Sequence, residues 1–242
     1  MKAMILAAGL GSRLQPLTKS LPKALVPVND HPLLQIVINR LKRFGISEII
    51  INVHHQRQKI LEFIKSNNYF DIRIELSEED DLLETGGGIK KAGWFFDDGG
   101  PFLVHNVDIL SNIDIKDMFK YHIENRVLAT LAVRKRKTSR QLLFTDEGNM
   151  AGWQSGNRRE TVEVPGDKTL KPISFMGIHI ISPEIFDLLP KESYFSIIEA
   201  YLQLVREGKK IIAYRGDRFY WFDVGSLEKL REAEKFLNRI QN

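Results

Sequence analysis

Ala3 to Ala7 is an unbroken apolar run that a glycine, Gly9, stops almost at once. Such a run has no polar face and is too short for a buried helix, so it reads as a strand covered on both sides, as in a parallel sheet. Leu33 to Phe44 then repeats apolar residues at Leu33, Leu34, Val37, Ile38 and Leu41 and ends at Gly45, which predicts a helix with a glycine stop. Glu48 to Val53 is a second buried strand. A helix over Gln56 to Ser66, a strand over Ile72 to Leu76, a short helix over Gly88 to Trp94 and a strand over Phe102 to His105 continue the rhythm. This alternation defines an α/β chain with a mixed, mainly parallel central sheet and helices on both faces. In such sheets ligands bind outside the carboxyl ends of the strands.

The second half is richer in extended segments: Leu128 to Val133, Gln141 to Phe144, Ile173 to Ile181, Lys210 to Tyr214 and Phe219 to Phe222. Helices over Pro183 to Leu188, Phe195 to Glu207 and Ser226 to Arg239 separate or close them. Gly156 to Lys171 reads as a mobile loop. No internal repeat or linker divides the 242 residues, so one domain over 1–242 is expected.

An apolar fraction of 43% beside 27% charged residues excludes a disordered or fibrous chain. With no cysteine there is no disulfide or thiolate chemistry, and a metal must be held by oxygen or nitrogen. The net charge of +4 suits an anionic small molecule as well as nucleic acid. The apolar start is far shorter than a membrane span and lacks the features of a signal peptide, so a cytoplasmic protein without a membrane partner is expected.

Five stretches carry candidate chemistry. The first is Leu6-Ala7-Ala8-Gly9-Leu10-Gly11-Ser12-Arg13, where glycines let backbone N–H groups approach phosphate oxygens and Arg13 supplies a forked donor. It lacks the Lys-Ser/Thr of a Walker loop. Pro22-Lys23-Ala24-Leu25-Val26-Pro27 follows, its prolines stiffening an extended segment that could hold Lys23 near the same strand end. Glu84-Thr85-Gly86-Gly87-Gly88 could let a base or an anion lie against the backbone. Asn106-Val107-Asp108 offers a hard carboxylate ligand. Asp223, in the aromatic run Trp221-Phe222-Asp223, needs a metal or a strong hydrogen-bond partner, because burying a lone carboxylate is costly.

The Gly-x-Gly-x-Arg loop and the Pro-Lys-x-x-Val-Pro segment together resemble the fingerprint of the sugar-1-phosphate nucleotidyltransferases, the NDP-sugar pyrophosphorylases. The likeness extends over the whole chain. It implies a Rossmann-like (GT-A-like) fold, with 1–125 mainly binding the nucleotide and 126–242 mainly binding the sugar phosphate. It further implies that Asp108 and Asp223 hold Mg²⁺ and that Arg13 and Lys23 join them as catalytic residues. Leu6, Ala7, Ala8, Gly9, Gly11, Ser12, Arg13, Lys23, Glu84, Thr85, Gly86, Gly87 and Asn106 would bind the nucleoside triphosphate. Asp108, Gly177 and Asp223 would contact the sugar, Gly177 through its place in a Phe-x-Gly-Ile strand.

Two departures stand out. Val107 replaces the usual glycine of Asn-Gly-Asp, and the Glu-Lys-Pro whose lysine binds the sugar phosphate is missing, which leaves Arg158, Arg159 or Lys171 for that role. Leu-Glu-Thr-Gly-Gly-Gly and Phe-Met-Gly-Ile are closest to N-acetylmuramate 1-phosphate uridylyltransferases, which places the product among cell-wall or polysaccharide precursors. Mannose-1-phosphate guanylyltransferase, or an enzyme for another sugar or alcohol phosphate, is the alternative. A non-catalytic nucleotide-binding subunit is the reading from a different class. Arg134 to Lys137 with Arg140 is a dense basic run without interleaved aromatics, so it reads as a solvated strand end rather than a nucleic-acid surface. A monomer or homodimer is expected.

Overall fold

The computed structural model describes residues 1–162 and 169–241. The chain opens with β1 (Lys2–Leu6), the two-residue strands β2 (Pro27–Val28) and β3 (His31–Pro32), and α1 (Leu33–Arg43). There follow β4 (Glu48–Val53), α2 (Arg57–Ser66), β5 (Arg73–Glu78), α3 (Glu84–Lys91), β6 (Phe102–Asn106), β7 (Ile109–Ser111) and α4 (Ile115–Asn125). The rest is β8 (Ala129–Arg134), β9 (Arg140–Phe144), β10 (Met150–Ser155), β11 (Arg158–Thr161), β12 (Lys171–Ile181), α5 (Ile197–Arg206), β13 (Ile211–Arg215), β14 (Trp221–Asp223) and α6 (Leu227–Gln241). The fold is α/β with a mixed sheet, as the alternation requires.

Contacts gather into two compact units: residues 1–82, 105–112 and 220–242 in the first, and residues 83–104 and 113–219 in the second. In the first unit β1, β4 and β5 pair in parallel, Ala3 opposite Ile49 and Ile49 opposite Ile74. β1 and β4 are short apolar runs buried on both faces, whereas β5, Arg-Ile-Glu-Leu-Ser-Glu, is partly exposed. Helix α1 buries Leu33, Leu34, Val37, Ile38 and Leu41, the stripe its periodicity marks out. Helix α6 contributes Phe236, whose ring stands 5.1 Å from Phe222 and 5.2 Å from Tyr220, so the aromatic run before Asp223 is a packing surface.

In the second unit β12 pairs antiparallel with β8 and β9, β8 takes β13 in parallel, and β9, β10 and β11 form an antiparallel ribbon. Part of the expected loop from Gly156 is therefore strand β11; residues 163–168 of that loop lie outside the described residues. Helix α4, which the sequence reading passed over, starts at Asp114, whose side chain accepts from the backbone N–H of Asp117. Helix α3 begins at Glu84 rather than Gly88, for a packing reason given below. No helix among the described residues is long and apolar enough to cross a membrane.

Two buried histidines link the fold to pH. His105 has no exposed surface, and burial, with the Arg40 charge adding to it, holds its imidazole down at about 3 against a backbone hydrogen bond to Asn106 that pulls the other way. His122 lies between Thr130 Oγ1 at 2.9 Å and Ser182 Oγ at 3.0 Å, and burial lowers it to about 4. Ser182 already donates to the carbonyl of Val127, so the His122 Nε2–H donates to Ser182 and the neutral ring is satisfied. Both rings fold neutral and gain a proton on unfolding below their ordinary value near 6.5. Their contribution is complete above that value and is lost as pH falls to about 4 for His122 and about 3 for His105. Between pH 6 and 5 unfolding free energy is expected to fall by about 2 kcal/mol, approaching one proton for each histidine. Urea unfolding at pH 7.5, 6 and 5 measures this; His122→Asn should remove about half the slope, and a flat profile would contradict it.

Candidate active site

The parallel strands of the first unit end together, and β1 runs directly into the glycine loop. The loop is anchored from behind by two buried polar residues that sequence reasoning missed. The Ala7 N–H donates to Asn52 Oδ1 at 2.7 Å, and Asn52 Nδ2 donates to Glu79 Oε1 at 2.7 Å, with Asn52 3% and Glu79 2% exposed. The signal was there: Asn52 is the one polar residue between Ile49 and Val53, a place where a side chain must have a partner. Leu6 O accepts from the N–H of Val107 at 3.0 Å, and the Val107 side chain is itself buried. The valine that departs from the family pattern thus packs inside the protein.

The two loop glycines are glycines for different reasons. Gly11 has φ +65°, accepts from Thr18 Oγ1 at 2.8 Å, and a Cβ there would lie 2.9 Å from Thr18 Cγ2 and 3.0 Å from Lys23 Cβ. The turn itself requires it. Gly9 has no left-handed backbone, and a Cβ there would meet no atom within 4 Å. Among the described residues nothing demands glycine at 9, so the bare backbone there is open to a ligand. Gly9→Ala is therefore expected to leave thermal stability unchanged while weakening nucleoside triphosphate binding by about 10-fold, the order of one lost charged hydrogen bond. Calorimetric titration with the nucleotide checks this, and unchanged affinity would return Gly9 to an ordinary turn.

Asp108 and Asp223 come together through a short antiparallel ladder. Strand β14 pairs with β7 so that Asp223 faces Ile109, and the Val224 N–H donates to Asp108 O at 2.8 Å. Ser111 Oγ donating to Tyr220 O at 2.7 Å and the Tyr220 N–H donating to Asn112 Oδ1 at 2.8 Å secure the other end. Lys23 Nζ forms an ion pair with Asp108 Oδ2. Lys229, another residue the sequence reading did not select, donates to Asp223 Oδ2 at 3.1 Å. Asp223 Oδ1 is buried without a hydrogen-bond partner among the described residues. A Cβ on Gly225 would lie 2.7 Å from that oxygen and 3.1 Å from Arg13 Nη2, so the carboxylate and the guanidinium crowd one point that only glycine leaves open. Asn106, at the end of β6, is half-buried, and Ala8 is buried, whereas Ser12 and Arg13 are exposed.

An orphaned buried carboxylate oxygen beside a second carboxylate fits a hard divalent cation, which takes one or two carboxylates plus substrate phosphates. No cluster of three or more His, Asp or Glu suited to a metal exists among the described residues, so a protein-only cage is not what this pair forms.

Glu84, Thr85, Gly86, Gly87 and Gly177 belong to the second unit. The N–H groups of Gly86 and Gly87 both donate to Phe195 O, at 3.0 and 3.2 Å. A Cβ on Gly86 would come within 2.3 Å of the Phe195 ring, and one on Gly87 within 1.9 Å of Ser193 O. Close packing of α3 against this segment accounts for both glycines and draws the helix start back to Glu84. Thr85 Oγ1 accepts from the Ile197 N–H at 3.1 Å, and Glu84 Oε1 accepts from the Tyr194 hydroxyl at 3.4 Å. Gly177, at φ +74°, lies where the β12–β8 register shifts between Phe175 and His179, a bulge that itself calls for glycine.

Comparison with known proteins follows the same lines. Residues 2–240 match the nucleotidyl transferase family, and the chain belongs to it. It is 31% identical to the N-acetylmuramate alpha-1-phosphate uridylyltransferase of Neisseria meningitidis serogroup B, over 97% of both proteins. It is 30% identical to the UTP–glucose-1-phosphate uridylyltransferase of Synechocystis over 96% of this chain, which spans 62% of that relative. HddC from Yersinia pseudotuberculosis, in a crystal structure with GMP-PN, shares the fold with a TM-score of 0.78 at 20% identity, covering 98% of this chain and 99% of that one. The relatives are thus sugar-1-phosphate nucleotidyltransferases acting with different bases and sugars.

Proposed function

We propose that the chain joins a nucleoside triphosphate to a sugar 1-phosphate and releases pyrophosphate, with Mg²⁺ held by Asp108 and Asp223. The observation that carries this is the pair of carboxylates on adjoining strand ends, one with an orphaned oxygen, together with Arg13 and Lys23 at the same strand ends. A phosphate oxygen of the sugar attacks the α-phosphorus in line, and the bond to the β-phosphate oxygen breaks, its electron pair leaving with pyrophosphate. The attacking phosphate is already ionised, so no general base is needed. Bound there, a divalent cation supplies charge neutralisation at the reacting phosphates.

The chain's own residues do the rest. The backbone around Gly9 receives the triphosphate, and the Asn52–Glu79 pair holds that loop at its place behind β1. Arg13 is a forked, permanently charged donor for the departing pyrophosphate. Lys23 neutralises Asp108 until substrate arrives and is within reach of the same phosphates.

UTP with N-acetylmuramate 1-phosphate is the substrate pair we favour, supported by the Glu-Thr-Gly-Gly-Gly and Phe-Met-Gly-Ile segments and by the full-length relative from Neisseria. Guanylyltransferases for a heptose 1-phosphate and for mannose 1-phosphate are 27% and 29% identical, so GTP stands beside UTP in the test. That test is pyrophosphate release with Mg²⁺ across five nucleoside triphosphates and a panel of sugar 1-phosphates. Release confined to one pair fixes both substrates. Nucleotide binding with silence across the panel would favour a regulatory subunit instead.

A further inference from the structure

The dense basic run over Arg134 to Lys137 with Arg140 has no part in the proposal above. In the second unit, two members of that run, Arg136 and Arg140, line a cavity of about 740 Å³. Its floor is the ribbon of β9, β10 and β11, and the register tells which side chains share that face. Ser155 pairs with Arg140 on one side and Arg158 on the other; Trp153 pairs with Leu142 and Glu160. Cross-strand partners, and residues two apart along a strand, point to the same face. All six line the cavity.

One row is therefore arginine, serine, arginine, and the next is leucine, tryptophan, glutamate. Arg140 and Arg158 are two strands apart, about 10 Å, with only a serine side chain between them, so both guanidiniums can converge above it. Among the described residues neither has an ion-pair partner, and the nearby Glu160 is already paired with Arg206. Two forked donors converging over a small hydroxyl suit a carboxylate or phosphate. Trp153 offers a flat apolar face to a sugar ring, and Glu84 and Glu199, which also line the cavity, are acceptors for hydroxyl groups. The volume lies within the range of about 300–1,000 Å³ usual for small-molecule sites.

We propose that this cavity binds a sugar carrying a carboxylate, with the acid held between Arg140 and Arg158 and the ring against Trp153. This rests on the transferase reading in one respect: a sugar 1-phosphate is the class of ligand expected, and the probe pairs below hold its phosphate constant so that the carboxylate alone is compared. Such a ligand can come from two sources, the acceptor itself or an effector of the same chemistry.

The test uses the full chain and two probe pairs that differ in one carboxylate. These are N-acetylmuramate 1-phosphate against N-acetylglucosamine 1-phosphate, and glucuronate 1-phosphate against glucose 1-phosphate. In calorimetric titrations the acidic member of at least one pair should bind about 10- to 100-fold tighter, the order contributed by charged hydrogen bonds. The exposed double substitution Arg140→Gln/Arg158→Gln should erase that preference while leaving nucleotide binding intact. Pyrophosphate release from the preferred probe marks it as the acceptor. Binding without release, with a changed rate on another sugar 1-phosphate, marks it as an effector. No preference in either pair, or a preference that survives the double substitution, overturns the proposal. Failure of every sugar to react counts against the transferase reading alone, since the binding comparison decides this one separately.

Discussion

Asp223→Asn is expected to lower pyrophosphate release by at least about 100-fold, because changes to the mere partners of metal ligands already cost 10- to 100-fold. The reasoning is local. Asp223 Oδ1 is buried with no hydrogen-bond partner among the described residues, while Oδ2 has Lys229, so Oδ1 is the oxygen a cation would take. Asparagine keeps the shape and the ladder to β7 but cannot supply the charge. The stability cost should stay within about 1 kcal/mol, since Lys229 is partly exposed and such pairs contribute little. Asp108→Asn should behave alike, with the added release of Lys23 from its ion pair. The measurements are the initial rate at saturating substrate and the denaturant midpoint. A variant that keeps most of the wild-type rate, or one that loses activity only by unfolding, contradicts the assignment.

Gly87→Ala is expected to have the largest effect on folding. Its Cβ would lie 1.9 Å from Ser193 O, a backbone atom that cannot rotate away, and 3.0 Å from Leu83 Cβ. Relief requires α3 to move off the 193–195 segment, which breaks the hydrogen bonds from Gly86 and Gly87 to Phe195 O. Overpacking typically costs about 1–3 kcal/mol, and a backbone neighbour that cannot swing aside puts position 87 at the upper end. Gly86→Ala meets the Phe195 ring at 2.3 Å and should follow closely, since that ring is 8% exposed and has little space to swing. Urea unfolding checks both, and a loss below about 1 kcal/mol at position 87 would mean the contact gives way more easily than its geometry implies.

These two positions show where the sequence could be read and where it could not. The strand ends were legible because each fully buried strand is a run such as Ile49 to Ile51 with no polar face, and glycine or a carboxylate follows at once. Asp223 could be chosen because a carboxylate in an aromatic run needs a partner, and Asp108 because a carboxylate just past a strand can be a hard ligand. What brings them together is the pairing of three-residue strands, β7 and β14, whose residues are far apart in the chain and carry no periodicity to reveal it. The glycines at 86 and 87 looked like a surface for a base, yet a glycine kept bare for a ligand and one kept bare for Ser193 O read identically. Gly9 and Gly11 make the same point within one loop. Asn52 carried a signal as the lone polar residue of an apolar run, but its partner Glu79 lies just past another strand and looks exposed until that strand's neighbour is known. The alignment of Arg140, Ser155 and Arg158 was not legible because the three lie on three different strands.

The transfer itself is tested most directly by following the α-phosphorus. The protein is incubated with each α-³²P-labelled nucleoside triphosphate, the sugar 1-phosphate panel and Mg²⁺, with a parallel set in excess chelator. The account predicts that, for one nucleotide, label moves into a sugar nucleotide with stoichiometric pyrophosphate, and that chelation or Asp223→Asn stops it. Label that stays in the triphosphate, passes only to free mono- or diphosphate, or transfers equally well under chelation would contradict it.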